Sequence, residues 1–231
     1  MRKRNALGGW TVIAGAAVGA LVAAAAQPAE GHTQGLDAAS QGVTIFASPT
    51  VVEWGLPVTL RGSVGNGRAG EVVEVEAKEC GANPPFFRAV ASAQTREGGG
   101  WTTPNYLGIN TTLRAVWKDN ASAEITVRQR VGVSLHKKRS TRAFEAWVVG
   151  GAQFWRKSVL IQRRLQGAWK TVQSVVLTET GADDPSGTRS TVWSRGKFSA
   201  PVPKGTLIRA VFPLSQARPC HLAGVSKSVR T

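Results

Sequence analysis

The sequence has 231 residues, of which 42% are hydrophobic, and its 29 lysines and arginines outnumber 14 acidic residues to give a net charge of +15. This length accommodates one large or two small domains. Beyond the first 26 residues no stretch has a helical period, which excludes an enzyme barrel or a doubly wound α/β fold, because both require such helices.

The first 26 residues are typical of a secretion signal. Arg2, Lys3 and Arg4 form a basic start, an apolar run rich in Ala and Gly follows, and residues 24–26 are small, as cleavage requires. The alternative is a membrane anchor, since about 20 apolar residues can span a bilayer. No basic stop-transfer cluster follows, so we predict that 1–26 is a signal peptide. The mature chain would then have no transmembrane segment and would be secreted, extracellular or associated with the cell envelope.

The remaining chain reads as short strands separated by turns. Residues 27–42 are polar and without period, which predicts a flexible spacer. In 71–78, Val73, Val75 and Ala77 alternate with charged residues, the mark of a half-buried strand. Similar segments continue to the C-terminus. The prediction is an all-β chain with two β-sandwich domains, 43–130 and 131–231.

One stretch occurs twice and supports this division. Residues 100–104 and 112–117 read Gly, aromatic, small residues, Pro and then a strand Thr-Leu-Arg-Ala-Val-aromatic, and residues 196–201 and 206–212 repeat the pattern. The repeated residues predict matching strands of two similar domains. Their aromatic and alanine positions are interpreted as core.

The segments 58–62, 100–101, 112–115 and 223–226 carry a resemblance to a known kind of protein. The chain resembles uncharacterised exported actinobacterial proteins with tandem immunoglobulin-like or fibronectin type III-like β-sandwich domains. The resemblance covers about 43–231. It implies a fold and a secreted location, and it implies no activity.

The two cysteines are expected to form a disulfide, because an exported protein folds in an oxidising environment. Counting strand directions through the two sandwiches places Cys80 at the lower end of the first domain and Cys220 at the facing end of the second. We therefore predict a Cys80–Cys220 bridge between the domains. The alternative is two free or differently paired thiols.

The basic charge is concentrated in the second domain. Residues 43–130 hold nine basic and eight acidic residues, whereas 131–231 hold seventeen basic and four acidic ones. With Trp155 and Trp169 nearby, such a surface can hold polyanions such as wall polymers, acidic polysaccharide or extracellular DNA. The alternative is charge that serves solubility alone. The candidate polyanion-binding residues are Lys137, Lys138, Arg139, Arg142, Arg156, Lys157, Arg163 and Arg164.

Catalytic constellations are scarce. A nucleophile pair of Cys220 with His221 or His136 is conceivable, but a disulfide would remove the thiol. Cysteines 140 positions apart fit no zinc pattern, and Asp183 and Asp184 are interpreted as a solvated turn rather than a Ca²⁺ site. We predict no enzyme activity, no catalytic residues, no metal and no cofactor.

The functional expectation is a secreted, non-enzymatic structural or adhesive module at the cell envelope, with a polyanion-binding module as the alternative. The expected partners are envelope polymers or another surface protein, and nucleic acid only non-specifically. The sequence does not predict an oligomeric state.

Overall fold

The computed structural model describes residues 42–138, 143–182 and 191–231. The predicted signal peptide, the spacer up to residue 41, Arg139, Arg142, Asp183 and Asp184 lie outside these ranges. Within them the regular structure is almost entirely β-strand, so the all-β prediction is confirmed. In these same ranges, no helix is long and apolar enough to cross a membrane.

The segment 42–130 forms nine strands. They are β1 (Phe46–Ser48), β2 (Val51–Val52), β3 (Val58–Ser63), β4 (Val72–Glu79), β5 (Arg88–Gln94), β6 (Gly100–Asn105), β7 (Thr111–Trp117), β8 (Asn120–Ala121) and β9 (Ile125–Gln129).

The described residues of 131–231 form nine more strands and one helical turn, which the sequence does not predict. They are β10 (Gly132–Lys137), β11 (Ala143–Gly150), β12 (Ser158–Leu165), β13 (Ala168–Val176), β14 (Glu179–Ala182), β15 (Val192–Ser199), β16 (Leu207–Phe212), α1 (Leu214–Ala217), β17 (Gly224–Val225) and β18 (Val229–Arg230). The four-residue helix is too short to leave a periodic signal.

Two sheets enclose the first hydrophobic cluster. One has the order β1-β3-β6 and the other the order β2-β9-β7-β4-β5, with β8 on β7. The alternation in β4 buries Val73, Val75 and Ala77, as predicted, and β7 buries Leu113 and Ala115. Trp101 reaches the same cluster from the opposite sheet.

The second cluster lies between the sheets β10-β11-β15-β14 and β13-β12-β16-β17, with β18 on β16. Val159 and Ile161 take the buried positions that Val73 and Val75 take in the first. In both halves the repeated stretch contributes one strand to each sheet, β6 and β7 or β15 and β16. This arrangement explains why its aromatic residues alternate with polar ones, since one face of each strand packs inward.

A disulfide joins the two halves. Cys80 follows β4, Cys220 lies between α1 and β17, and their Cα atoms are 5.4 Å apart. The predicted Cys80–Cys220 bridge is confirmed. It closes a loop across a sequence separation of 140 residues.

Asn110 ties four segments together beside this disulfide. Its backbone N–H donates to the carbonyl of Cys220 (2.9 Å), and its carbonyl accepts from the N–H of Cys80 (2.9 Å). Its side-chain amide donates to the carbonyl of Pro219 (3.2 Å), and its Oδ1 accepts from the N–H of Gln129 (2.8 Å). One side chain thus holds the end of β9 and the 219–220 segment in register with the start of β7.

His221 completes this junction between the halves. The ring is buried, and its Nε2–H donates to the carbonyl of Gly108 at 3.0 Å. Burial lowers the pKa of His221, the hydrogen bond to Gly108 opposes this, and the charge of Lys157 lowers it further. The imidazole is therefore neutral at pH 7 and acts as a structural donor.

Replacing both Cys80 and Cys220 by alanine should lower the free energy of unfolding by at most about 5 kcal/mol, because the unfolded chain regains the entropy of a loop of this length. Urea unfolding of the oxidised protein and the double variant measures the change. Reductant should lower the free energy of unfolding of the parent protein by a similar amount and leave that of the double variant unchanged. Equal unfolding free energies would show that the bridge does not stabilise the fold.

Candidate functional site

The outer side of the β10-β11-β15-β14 sheet carries an unusual set of side chains. Strand alternation turns Phe144, Ala146 and Val148 into the core, so that Glu145 and Trp147 point outward from β11. In the same way β15 buries Ser194, Gly196 and Phe198. We call the outward set the aromatic face, and its residues are Glu145, Trp147, Glu179, Trp193 and Arg195.

The two indoles of the aromatic face are in contact. The ring centroids of Trp147 and Trp193 lie 5.0 Å apart with the planes tilted by 40°. Trp193 lies over Gly181 of β14, where a Cβ would come within 2.5 Å of the ring. The glycine therefore lets the indole lie against the neighbouring strand, and the rings form one apolar platform.

A guanidinium group and an imidazole hold the platform in place. The Cζ atom of Arg195 is 5.2 Å from the ring centroid of Trp147 and 5.4 Å from that of Trp193. His136 packs edge-on against Trp147 at 5.9 Å and hydrogen-bonds Ser134 at 2.9 Å. Such cation–π and edge contacts fix ring orientation at a small free-energy gain each.

Each carboxylate of the aromatic face is held by cations. Glu179 accepts from Nε of Arg195 at 2.8 Å and pairs with Nζ of Lys197 at 2.7 Å. Glu145 pairs with Nζ of Lys138 at 3.1 Å and accepts from Nε1 of Trp147 at 3.3 Å. The face is a preformed network around an aromatic centre.

These contacts set the protonation of both carboxyl groups. The hydrogen bond from Lys138 is the main cause that lowers the pKa of Glu145, against the opposing effect of burial. The hydrogen bonds from Lys197 and then Arg195 lower the pKa of Glu179. Both groups are ionised at neutral pH, so they accept hydrogen bonds and are unsuited to general acid chemistry.

The corresponding sheet of the first half, β1-β3-β6, carries an open groove of about 580 Å³ on its outer side. Phe46, Arg61 and Thr102 line it, and Phe46 is 59% exposed. Trp101 also lines the groove, and its buried Nε1 has no hydrogen-bond partner among the described residues. The two halves therefore differ on this side, with a groove in the first and a packed aromatic centre in the second.

Several of the predicted polyanion-binding residues make local contacts within the described ranges. Lys137 ends β10, and Lys138 pairs with Glu145. Lys157 donates to the carbonyl of Gln216 at 2.6 Å, and Arg156 packs on Trp155 with its Cζ 4.2 Å from the ring centroid. Lys138, Arg156 and Lys157 thus each contact a different partner.

Arg163 and Arg164 point to opposite sides of β12. Arg163 is half-buried, and its Nε lacks a hydrogen-bond partner within the described ranges. Arg164 is exposed and packs on Trp169 with its Cζ 5.4 Å from the ring centroid. Gln162 lies on the same side of β12 as Arg164, and it is paired with Arg209 of the neighbouring strand β16. Neither Gln162 nor Arg209 was among the residues predicted from the sequence. The signal for them was present in the repeat, since Arg209 matches Arg114.

No family model matches the chain, and no curated protein matches it. Among solved structures, the chain is similar to a purple acid phosphatase isolated from yellow lupin (Lupinus luteus) seeds, with 11% identity and a TM-score of 0.43. The match covers 82% of this chain and 41% of that chain, so the chain spans about two fifths of the phosphatase.

The expected function is corrected by this comparison. We expected a non-enzymatic structural or adhesive module, with a polyanion-binding module as the alternative, whereas the phosphatase to which the chain is similar is an enzyme. That expectation is wrong and is not retained. The function proposed below is based on the contacts and charges of this chain's own residues.

Glu145 and Glu179 should both titrate below the ordinary value of 4.5. Since their folded pKa values are lowered, the stability from their ion pairs is present above pH 4.5 and lost as the pH falls through the folded values. Carboxyl ¹³C NMR shifts measured against pH test this. Lys197→Met should raise the pKa of Glu179 and leave that of Glu145 unchanged. Titration of either group near neutral pH would contradict the network.

Proposed function

We propose that the chain is an exported carbohydrate-binding protein made of two tandem immunoglobulin-like sandwiches, 43–130 and 131–231, and that the aromatic face binds a neutral saccharide. The two hydrophobic clusters, each between two sheets, support the tandem arrangement. The signal peptide predicted in 1–26 and the disulfide support export, because disulfides persist in oxidising compartments. Envelope polysaccharide is the partner class that this location offers.

The observation that carries the proposal is the contact between Trp147 and Trp193 on a sheet surface that faces away from the core. The C–H faces of a pyranose ring pack against indoles, which bring a large apolar area at little cost in side-chain entropy. Both rings are anchored on strands, and Arg195 packs on each of them. A platform fixed before binding avoids the entropic cost of ordering it.

The polar surroundings suit hydroxyl groups. An ionised carboxylate has about four acceptor sites, and the described contacts of Glu145 and Glu179 leave acceptor capacity on both. In a binding site, a small number of fixed polar groups around an apolar centre orients the ligand. Sugar hydroxyls can therefore donate to Glu179, whose side chain is 35% exposed, while the ring packs on the indoles.

The charge of the face favours a neutral ligand over an acidic one. Its two carboxylates face three cations, Lys138, Arg195 and Lys197, and all five groups are engaged with one another. An anionic ligand would have to compete with glutamates that already hold the cations. The two ionised carboxylates also make binding, rather than acid–base chemistry, the role that this face supports.

Trp193→Ala should weaken saccharide binding at least tenfold, because it removes half of the platform, a loss of about 1.4 kcal/mol or more. Cellohexaose and chitohexaose are suitable probes, since their β-1,4 linkages leave flat C–H faces. Isothermal titration and the indole N–H shifts of the ¹⁵N-labelled protein measure the binding.

Trp155→Ala is the matched control, because Trp155 is 49% exposed, packs on Arg156 and has no described contact with a residue of the aromatic face. It should bind as the parent protein does. Gly181→Val keeps both tryptophans but displaces the Trp193 ring, and it should weaken binding as Trp193→Ala does. The proposal fails if neither oligosaccharide binds, or if the control loses as much affinity as Trp193→Ala.

A further inference from the structure

In the first half, two cations share one aromatic ring on the outer side of β4 and β7. The Nζ of Lys78 is 4.6 Å, and the Cζ of Arg114 is 4.2 Å, from the ring centroid of Phe87. Each cation also has a carboxylate: Arg114 Nε donates to Glu76 at 2.6 Å, and Lys78 pairs with Glu124 at 3.4 Å. The charges of this cluster are balanced within the protein.

The second half builds the same arrangement on β12, β13 and β16. The Cζ of Arg209 is 4.3 Å, and that of Arg164 is 5.4 Å, from the ring centroid of Trp169. Gln162 lies opposite Arg209 in the strand register, as Glu76 lies opposite Arg114 in the first half. The matching of Val73 with Val159 and Val75 with Ile161 also equates Glu76 with Gln162 and Lys78 with Arg164.

The second cluster lacks the carboxylates of the first. Gln162 Oε1 accepts from Nε of Arg209 at 2.9 Å, where the first half has a salt bridge. Within 42–138, 143–182 and 191–231, neither Arg164 nor Arg209 forms an ion pair. Two like charges are thus held on one indole without a described anion to balance them.

This geometry leaves the binding edges of the guanidinium groups available. Gln162 uses only Nε of Arg209, and neither the terminal nitrogens of Arg209 nor those of Arg164 hydrogen-bond within the described part of the chain. A guanidinium edge matches a carboxylate, phosphate or sulfate in bidentate fashion. Burial, followed by the charge of Arg164, lowers the pKa of Arg209, which agrees with two cations that are close and unbalanced.

We propose that Arg164 and Arg209 bind one compact oxyanion, a carboxylate, phosphate or sulfate group of a ligand, beside Trp169 and Gln162, where the first half has its own Glu76 carboxylate. The site is on the sheet opposite the aromatic face and does not depend on the proposed saccharide binding. It uses one of the eight predicted basic residues and is a discrete site rather than an extended charged surface.

Gln162→Glu tests the proposal because it supplies the carboxylate that the repeat lacks. Melting curves and arginine Nε–H NMR shifts are recorded with sodium phosphate, sulfate or acetate against sodium chloride at equal ionic strength. The parent protein should melt higher as at least one of these oxyanions is added, since a ligand of the folded state stabilises it. In chloride alone, Gln162→Glu should have a higher melting temperature than the parent protein. Its affinity for the oxyanion should be at least tenfold lower.

Arg156→Gln is the matched control, since Arg156 packs alone on Trp155. It should leave oxyanion binding unchanged. Arg164→Gln provides a second test if Gln162→Glu folds poorly: it should remove the anion dependence without lowering the melting temperature in chloride. A purely structural arginine predicts the opposite, a lower melting temperature with the anion dependence retained.

The three salts distinguish the ligand chemistry. Preference for phosphate and sulfate indicates a tetrahedral oxyanion, and preference for acetate indicates a carboxylate. No stabilisation by any of the three, an anion effect that persists in Gln162→Glu and Arg164→Gln, or equal loss in Arg156→Gln would overturn the proposal.

Discussion

The hydrogen bonds of Asn110 beside the Cys80–Cys220 disulfide are the contacts on which the rest of the arrangement depends. The two hydrophobic clusters do not share side chains, so the halves are joined by these groups together with other backbone hydrogen bonds and the bridge between Arg130 and Leu222. Asn110 satisfies backbone groups from both halves, and the disulfide keeps the same segments close in the unfolded chain. The neutral His221 adds a further bond to the Gly108 carbonyl. Loss of the Asn110 side chain would leave the part-buried N–H of Gln129 without its acceptor, which costs more than the bond contributes.

Each half encloses a hydrophobic cluster between two sheets, and matching buried positions of the halves are followed by different residues on the outer surfaces. Matching core positions are equally buried in the two halves, as the pairs Val73 with Val159 and Val75 with Ile161 show. The outward residues of the same strands are not conserved between copies: the pair Glu76 and Arg114 corresponds to Gln162 and Arg209. Core packing restricts which residues are tolerated inside, whereas outward positions can change chemistry at little cost in stability. Both proposed sites lie at outward positions.

The sequence predicts the all-β fold and the disulfide because both leave simple signals. Alternation in 71–78 reports a half-buried strand, and counting strand directions brings Cys80 and Cys220 to one junction. The aromatic face leaves no such signal. In Phe144–Val149 nearly every residue is apolar, so alternation cannot tell Trp147 from its buried neighbours. Trp193 is recognisable as a surface residue only once β15 is registered against β11. The repeat in the sequence does identify Arg209 as the counterpart of Arg114. In the strand paired with each arginine, Arg114 faces Glu76 whereas Arg209 faces Gln162.

The central claim is that the junction is as firmly structured as the cores on either side. Native-state amide hydrogen exchange of the oxidised protein tests it most directly, because the amides of Asn110, Gly151 and Leu222 donate across the junction. The account predicts that they exchange as slowly as core amides of β4 and β12, opening only with global unfolding. Exchange at the rate of exposed loops, while β4 and β12 stay protected, would contradict it and show that the halves separate while folded.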